Sequence, residues 1–165
     1  MEDYRVIIAG SRSFNNYELL KEHCLSLLHE KMRTHRVIIV SGHAHGADAL
    51  GERFAKEQGL TVELHPAKWR ALGKAAGMIR NVEMARASDA LIAFWDGKSR
   101  GTAHMISFAK RRGLEVSVVD ELNLKSSFTS HPDKPVTSTL HDQNTHLNHG
   151  IDEHWIIRFQ NDANI

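Results

Sequence analysis

Apolar residues in the first 120 positions fall into short continuous runs, separated by polar or glycine-containing loops. The runs predicted to form strands span residues 4–10, 36–42, 60–66, 89–95 and 114–120. Their apolarity is continuous rather than alternating, which is typical of strands buried on both faces of a parallel sheet.

Helical periodicity fills most of the intervals between these runs. Helices are predicted over residues 17–32, 47–58, 81–88 and 102–112, and the first places its apolar side chains on one face. Asn15 and Glu18 resemble a capping box at the start of the first helix. Gly59 and Gly113 stand where the second and last helices should end. Alternation of strands and helices predicts an α/β fold with an open parallel sheet and right-handed crossovers.

The regular pattern ends near residue 120. We therefore predict one domain over residues 1–120 and an irregular polar extension over residues 121–165. Residues 123–150 contain few apolar side chains and two of the three prolines, which is typical of a linker. Residues 154–160 read HWIIRFQ and form a candidate final strand or docking segment.

Composition narrows the class of protein. The chain has 165 residues, of which 41% are hydrophobic and 25% charged, with a net charge of +1. These values are ordinary for a soluble globular domain and do not mark the whole chain as a nucleic-acid or membrane binder. The single cysteine, Cys24, cannot form an internal disulfide and is predicted to be a small core residue. No signal peptide or apolar run of about 18 residues is found, so we expect a cytoplasmic protein without a membrane span.

Three glycine-containing loops are predicted to project from one edge of the sheet. They follow the first, second and fourth strands and read GSRSF (10–14), SGHAHGAD (41–48) and WDGKSRGT (95–102). Ligands of open parallel sheets bind beyond the carboxyl ends of the strands, near the point where strand order reverses. Helix-start amides and the helix dipole favour an anion there. We therefore predict a phosphate cradle, in which Gly42 and Gly46 shape the second loop and helix 47–58 presents its amides.

Several side chains in these loops are suited to binding a phosphate. Ser11, Ser41, Ser99 and Thr102 supply hydroxyl donors, and Arg12 can pair with a phosphate in bidentate fashion. A single glycine turn is usually only a turn, but three on one edge, with these donors beside the glycines, favour a ligand site.

Other residues have two interpretations that the sequence leaves open. Asp48 either contributes to the site or caps its helix, and Asp96 either binds a ribose hydroxyl or starts a turn. Trp69 and Trp95 are candidates for the core, and Trp95, at a strand end, is favoured to stack on a base.

His43 and His45 form an H-x-H pair, which is one pattern of a metal site. Without other identifiable ligands we interpret both as loop residues, and the widely spaced histidines of the polar tail are interpreted in the same way. We predict no metal and no cofactor.

Four sequence blocks, in a characteristic order, resemble a known group of proteins. They read IIAGSRSF (7–14), VSGHAHGADALGERFA (40–55), RNVEMA (80–85) and WDGKSRGT (95–102), within residues 4–119. The chain resembles the SLOG superfamily of nucleotide-binding domains, which lonely-guy phosphoribohydrolases and DNA-processing proteins share, and most resembles its YspA-type branch, also called DUF2493. The resemblance implies a Rossmann-like open parallel sheet with helices on both faces. It also implies a nucleotide or nucleotide-derived ligand at the predicted edge.

The lonely-guy enzymes carry an arginine, a lysine and a methionine ahead of a strand that ends in P-G-G-x-G-T-x-x-E. Arg80 falls on that arginine, Asn81 on the lysine and Met84 on the methionine. Gly101 and Thr102 fall on the G-T pair.

Two departures from this pattern bear on catalysis. WDG replaces P-G-G in a loop that is one or two residues longer, and Met105 stands at the position of the catalytic glutamate. A methionine can neither stabilise an oxocarbenium-like charge nor activate water. Asp48, Glu83 and Asp96 are the alternative carboxyl groups, and spacing selects none of them. The resemblance therefore implies binding more strongly than hydrolysis, and whether the protein is an enzyme stays open.

The candidate site combines the loop residues with those carried over by the resemblance. If the protein is a catalyst, the candidate catalytic residues are Arg80, Asp96 and Asp48. The candidate nucleotide- or phosphate-binding residues are Gly10, Ser11, Arg12, Ser41, Gly42, His45, Gly46, Ala47, Asp48, Arg80, Asn81, Trp95, Asp96, Gly97, Ser99, Gly101 and Thr102.

Three functions follow from these features. The first is a domain that senses or sequesters a nucleotide or an ADP-ribose-like derivative. The second is a hydrolase of the N-glycosidic bond of a nucleoside monophosphate. The third is binding of single-stranded nucleic acid, which the net charge does not support, although Arg12, Lys68, Arg70, Lys74 and Arg80 could cluster. We expect a small-molecule partner rather than nucleic acid, and a homo-oligomer by analogy with relatives.

Overall fold

Five parallel strands and the helices between them make up the part of the chain that the computed structural model describes, residues 1–121. The strands are β1 (Asp3–Gly10), β2 (Arg36–Ser41), β3 (Thr61–Leu64), β4 (Ala90–Trp95) and β5 (Glu115–Asp120). The helices are α1 (Tyr17–Thr34), α2 (Ala47–Glu57), α3 (Trp69–Leu72), α4 (Ala76–Ala87) and α5 (Arg100–Arg112), with a 3-10 turn at Gly73–Ala75. The predicted linker and the candidate strand at 154–160 lie outside the described residues.

The sheet has the order β3-β2-β1-β4-β5, and every neighbouring pair is parallel. β1 lies at the centre, where Ile7 is in register with Val40 of β2 and with Leu91 of β4. The chain winds outward from β1 to β3, then returns to the other side of β1 for β4. The strand order therefore reverses between β1 and β4, which is where open α/β sheets bind ligands.

Helices cover both faces of the sheet, as predicted. Successive side chains of a strand point to opposite faces, so β1 contributes to two separate cores. Val6 and Ile8 pack with residues of α1 and α2 such as Leu20 and Phe54. On the other face, Ile7 packs with residues of α4 and α5, among them Met84 and Met105. The α/β class and the Rossmann-like architecture are confirmed.

The predicted core cysteine and two predicted helix ends are confirmed. Cys24 is fully buried in the first of the two cores. Gly59 and Gly113 follow α2 and α5 with φ angles of 66° and 77°, a conformation that glycine adopts without steric cost.

The predicted start of the first helix at residue 17 is confirmed, but its predicted capping residue is wrong by one position. Asn16, not Asn15, is the N-cap of α1, and its side-chain oxygen accepts from the Leu19 amide at 3.1 Å. Both residues are asparagines, and only the backbone angles decide which side chain can reach the third amide of the helix.

The segment between β3 and β4 differs most from the prediction. β3 ends at Leu64 rather than near residue 66, α3 was not predicted, and α4 begins at Ala76 rather than at residue 81. Gly73 and Gly77 lower the helical propensity of this segment. Burial of Ala76 and Met84 on α4 outweighs that penalty. Among the described residues, no helix is both long and apolar enough to cross a membrane.

Candidate functional site

Ser11 joins the three loops that were predicted to meet at the carboxyl edge. Its amide donates to the Phe94 carbonyl at 2.9 Å, and its hydroxyl accepts from the Asp96 amide at 3.1 Å. Its carbonyl accepts from the amides of Phe14 and Ala47, at 3.1 and 3.4 Å. The loops after β1, β2 and β4 therefore converge at one rim, as the sequence predicts.

Gly46 allows the loop after β2 to approach the loop after β1. Its φ is 78°, and an added Cβ would collide with the backbone of Ser11 and Arg12. Only glycine satisfies both the conformation and the space at this position. Gly46 thus serves loop–loop packing and lies outside the walls of the cavities described below.

The prediction that the 41–48 loop forms a cradle of free amides is wrong for three of its amides. The His43 amide donates to the Ser41 hydroxyl at 3.0 Å, and the Ala44 amide donates to the Asp48 carboxylate at 3.4 Å. The Ala47 amide donates to Ser11, as described above. These donors satisfy groups of the protein itself, a long-range pairing that sequence spacing does not reveal.

Arg80 reaches from α4 across to this loop. Its Nη1 donates to the Gly42 carbonyl, and its Nε is buried with no hydrogen-bond partner among the described residues. Burial lowers the pKa of the guanidinium, while the nearby Asp48 carboxylate opposes that shift. Unpaired buried donors cost free energy unless a ligand or water satisfies them. Arg80 is therefore suited to receive an acceptor group from a ligand.

Asp48 is not the N-cap of α2, which was one of the two interpretations that the sequence allowed. The N-cap is Gly46, and Asp48 is the second helical residue, with a carboxyl group that is almost fully buried. Burial raises the pKa of this carboxyl, and the charge of Arg80 and the hydrogen bond from the Ala44 amide counteract the shift. Asp48 therefore supplies an acceptor beside the cationic group of Arg80.

The start of α5 forms the opposite wall. Ser99 is its N-cap, with a hydroxyl that accepts from the Thr102 amide at 3.4 Å and from the Thr102 hydroxyl at 3.0 Å. The buried Asn81 side chain donates to the Gly101 carbonyl at 3.1 Å, which ties α4 to this helix start. An added Cβ at Gly101 would meet open space, so the backbone there is accessible to a ligand. The N-terminal end of α5 favours a negatively charged group.

These walls enclose a cavity of about 220 Å³ at the point where the strand order reverses. We call it the main cavity. The predicted site residues that line it are Gly10, Arg12, Asp48, Arg80, Asn81, Ser99, Gly101 and Thr102. It brings two arginines, one carboxyl group and the start of α5 together, which suits an anionic ligand with hydroxyl groups.

A neighbouring cavity of about 330 Å³ opens beside the 41–48 loop. We call it the side cavity. Arg12, Trp69 and Arg80 line both cavities, and His43 and His45 line only the side cavity. Within residues 1–121, no group of three or more His, Cys, Asp or Glu side chains could hold a metal ion.

Seven predicted site residues lie in neither cavity wall of the described structure. They are Ser11, Ser41, Gly46, Ala47, Trp95, Asp96 and Gly97. Asp96 starts a turn, because its carboxylate accepts from the Lys98 and Ser99 amides at 2.8 and 2.7 Å. These two amides, that of Ser99 most strongly, lower the pKa of Asp96. These hydrogen bonds support the structural interpretation of Asp96.

Trp95, which the sequence favoured as the residue that stacks on a base, lies in neither cavity wall. Its indole nitrogen donates to the Ser99 carbonyl at 3.1 Å, and the half-buried ring packs against the core between the sheet and α4 and α5. Trp69 is 49% exposed and lines both cavities. Of the two indoles within residues 1–121, the one available to a ligand thus follows β3 and does not end β4.

Sequence reasoning missed further residues of the main cavity, among them Ala44, Gly77 and Met78, and it named Lys74 only as part of a possible basic cluster. Lys74 and Trp69 belong to the segment after β3, which is rich in basic and apolar side chains but carries no loop motif. The position of this segment directly after β3 could have identified it, because β3 also ends at the carboxyl edge of the sheet.

Comparison with known sequences finds relatives of this chain. The profile of the family described as YspA, cpYpsA-related SLOG matches residues 4–71. The Gene 61 protein of Mycobacterium phage D29 is 37% identical over 118 residues, which is 68% of this chain and 93% of the phage protein.

Comparison with solved structures finds similar folds. DNA processing protein A (DprA) from Streptococcus pneumoniae superposes on 71% of this chain with a TM-score of 0.54 and 17% identity. The chain spans half the length of that protein. TM1055, a structural genomics target, superposes on 70% of this chain and 72% of its own, with a TM-score of 0.51 and 20% identity. At these identities the likeness concerns the fold.

Proposed function

Because the chain belongs to the YspA, cpYpsA-related SLOG family, we propose that it binds a nucleotide or a nucleotide-derived ligand in the main cavity, as a sensor or sequestering domain. Nucleotide recognition requires a cationic or amide-rich place for phosphate, an acceptor for ribose hydroxyls and an apolar surface for the base. The main cavity offers a candidate for each.

One observation carries the proposal. Two arginines and the N-terminal end of α5 face one cavity at the point where the strand order reverses. Arg12 is exposed, whereas Arg80 is held by the Gly42 carbonyl with a buried, unpaired Nε. A buried guanidinium with an unused donor is costly for a site that stays empty, and an anion compensates that cost.

The remaining walls suit the other parts of a nucleotide. Trp69 offers an exposed indole face, and stacking of a base on an aromatic ring contributes about 1–3 kcal/mol. Asp48 offers the carboxylate oxygens that commonly accept from ribose hydroxyls. In this proposal the phosphate lies between Arg80 and the start of α5, and the base lies against Trp69.

We propose binding rather than hydrolysis because of what lines the cavity. Met105, which stands where lonely-guy enzymes place a glutamate, lies in the wall and is buried. Asp48 is the carboxyl group in the wall, and burial raises its pKa. Burial disfavours the ionised form of this carboxyl group, so it is less suited than an exposed glutamate to stabilise a developing positive charge.

Isothermal titration calorimetry with ribonucleoside mono- and diphosphates tests the proposal. Arg80→Ala and Trp69→Ala should each lower the affinity at least about tenfold, the loss expected for one charge-assisted hydrogen bond or one stacked base. Arg86→Ala, an exposed arginine near the end of the same helix, is the matched control. Absence of binding at millimolar concentrations of every nucleotide, or equal affinities for wild type and Arg80→Ala, would refute the proposal.

A second candidate function is the binding of single-stranded nucleic acid along the segment after β3. Lys68, Arg70 and Lys74 are exposed there and flank the exposed Trp69, the combination of basic track and aromatic platform that such grooves use. The weak net charge made this function unexpected, but the local cluster restores it as an alternative. A gel shift that weakens with salt and is lost in Trp69→Ala would support it, and no shift at low salt would exclude it.

A further inference from the structure

His43 has an unusual backbone conformation beside the side cavity. Its φ is 55°, and within residues 1–121 it is the one residue other than glycine with a positive φ. That conformation costs a non-glycine residue on the order of 1–2 kcal/mol. Glycine would adopt this conformation without that cost. A histidine at this position therefore indicates that its side chain has a role that glycine could not fill.

Hydrogen bonds hold the imidazole in one orientation. His43 Nδ1 lies 3.0 Å from Glu52 Oε1, and the buried Ser41 hydroxyl donates to the same oxygen at 2.7 Å. The Ser41 hydroxyl in turn accepts from the His43 amide at 3.0 Å. With Nδ1 directed to the carboxylate, Nε2 is the ring nitrogen that is left for a ligand.

Burial does not explain this arrangement. The His43 side chain is 58% exposed, whereas that of Glu52 is 24% exposed. A solvent-exposed side chain gains little from packing, yet hydrogen bonds among Ser41, His43 and Glu52 fix the orientation of this imidazole. Carboxylate–histidine pairs of this kind orient an imidazole towards a ligand in many binding and catalytic sites.

The side cavity that His43 lines is cationic and continuous with the main cavity. Arg12 and Arg80 belong to both cavity walls, so a ligand phosphate at these arginines lies at the entrance of the side cavity. His43 and His45 are the further ionisable side chains of that wall, and it contains no carboxylate. Glu52 lies behind His43 and is engaged by Ser41 and by His43.

We propose that the side cavity is a second anion subsite, in which His43, oriented by Glu52, binds the distal phosphate of a nucleoside diphosphate or of a longer polyphosphate. The inference rests on the proposed function, since it assumes a nucleotide in the main cavity. It narrows the ligand class to nucleotides with at least two linked phosphates. Arg12 and Arg80 hold the proximal phosphate. In its imidazolium form His43 donates Nδ1–H to Glu52 and Nε2–H to the next phosphate.

Calorimetry tests this subsite by comparing the monophosphate and the diphosphate of each of the four common ribonucleosides. Wild type should bind one diphosphate about tenfold more tightly than its monophosphate, the gain expected for one added charge-assisted hydrogen bond. His43→Gly, which also relieves the backbone conformation, should remove this difference, leave monophosphate affinity unchanged and keep or raise the Tm. His29→Ala, an exposed histidine on α1, is the control and should behave as wild type.

A Glu52 variant separates positioning of the imidazole from simple stability. Glu52→Gln keeps an oxygen that accepts from the His43 Nδ1–H but removes the negative charge beside the ring. It should reduce the preference for the diphosphate without lowering monophosphate affinity, whereas a purely structural role of Glu52 would lower the Tm and leave the preference unchanged.

The outcomes separate this inference from the proposed function. Equal affinities of wild type for mono- and diphosphate, or a preference that His43→Gly retains, would overturn the second subsite and leave nucleotide binding intact. Loss of both ligands in a folded His43→Gly variant would also overturn it, because His43 would then serve the whole site. No binding of any nucleotide by wild type would instead refute the proposed function.

Discussion

The Arg80 guanidinium and the Gly42 carbonyl form the contact that links α4 to the loop after β2, 38 positions away in the chain. A Cβ at position 42 would occupy the space of the guanidinium. The observed position of Arg80 therefore requires that residue 42 has no side chain, and a substitution at Gly42 tests the role of Arg80.

Gly42→Ala should displace Arg80 without changing the charge of the site. The φ of Gly42 is not positive, and the atoms that the methyl group would meet belong to the ends of the Arg80 and Asp48 side chains, which can move. We expect nucleotide affinity to fall about tenfold, with a loss of about 1 kcal/mol in the free energy of unfolding. Calorimetry and urea unfolding measure the two effects. Unchanged affinity would show that Arg80 does not need its present position.

Gly46→Ala should destabilise the fold much more than an alanine at Gly113. Both glycines have nearly the same φ, 78° and 77°, but a Cβ at Gly46 meets the Ser11 and Arg12 backbone, whereas at Gly113 it meets open space. Gly113→Ala should cost about 1 kcal/mol for backbone strain alone. Gly46→Ala should cost about 2 kcal/mol more because the backbone around it has to shift. Urea unfolding of both variants provides the comparison, and equal losses would contradict the crowding argument.

Asp48→Asn should change the pH dependence of stability. Burial raises the pKa of the Asp48 carboxyl in the folded protein above its ordinary value of 3.8. The contribution of this group to the free energy of unfolding is therefore largest below about pH 4 and falls as the pH rises through the folded pKa. Because asparagine does not ionise, stability of Asp48→Asn relative to wild type should increase from pH 4 towards neutrality.

Asp96→Asn is the control of opposite sign for that experiment. Hydrogen bonds from the Ser99 and Lys98 amides lower the pKa of Asp96 below 3.8. Its stabilising contribution is complete above the ordinary pKa and is lost as the pH falls through the folded value. Asp96→Asn should therefore be less stable than wild type at neutral pH, with a deficit that shrinks in acid. Parallel pH profiles for the two variants would show that burial of Asp48 does not control its ionisation.

Cys24 should be inert in the native protein. The thiol is fully buried on α1, and burial raises its pKa to about 12. Since the thiolate is the reactive form, an aromatic disulfide reagent at about pH 8 should not label the folded chain within hours. In concentrated guanidinium chloride the same reagent should release one equivalent of chromophore, because the chain has a single cysteine. Rapid labelling without denaturant would mean that α1 opens readily.

The sheet was predictable because its strands are buried on both faces. A strand such as β4 needs apolar residues at nearly every position, and this leaves a local signal that is independent of the rest of the chain. The rim was predictable for a related reason, since parallel strands bring all their following loops to one edge. Arg80 was identified only through the resemblance to a family, because it lies on a helix and not in a loop.

The details that failed depend on contacts between distant residues. No local pattern shows that the Ala47 amide is taken by Ser11, or that the Trp95 indole is taken by the Ser99 carbonyl while Trp69 stays exposed. The choice between Asn15 and Asn16 as helix cap depends on backbone angles that neighbouring residues of identical type cannot disclose. The sequence shows which hydrogen-bond donors are present, but only the folded structure shows which of them remain unpaired and can bind a ligand.

The four hydrogen bonds of Ser11 also determine how the rim responds to a ligand. Loops that do not contact one another lose conformational entropy when a ligand orders each of them, and this loss reduces the affinity. Here the segments after β1, β2 and β4 are already fastened to one another through a single buried serine. The receptor surface is preorganised, and most of the entropy loss of assembling it occurs during folding rather than during binding.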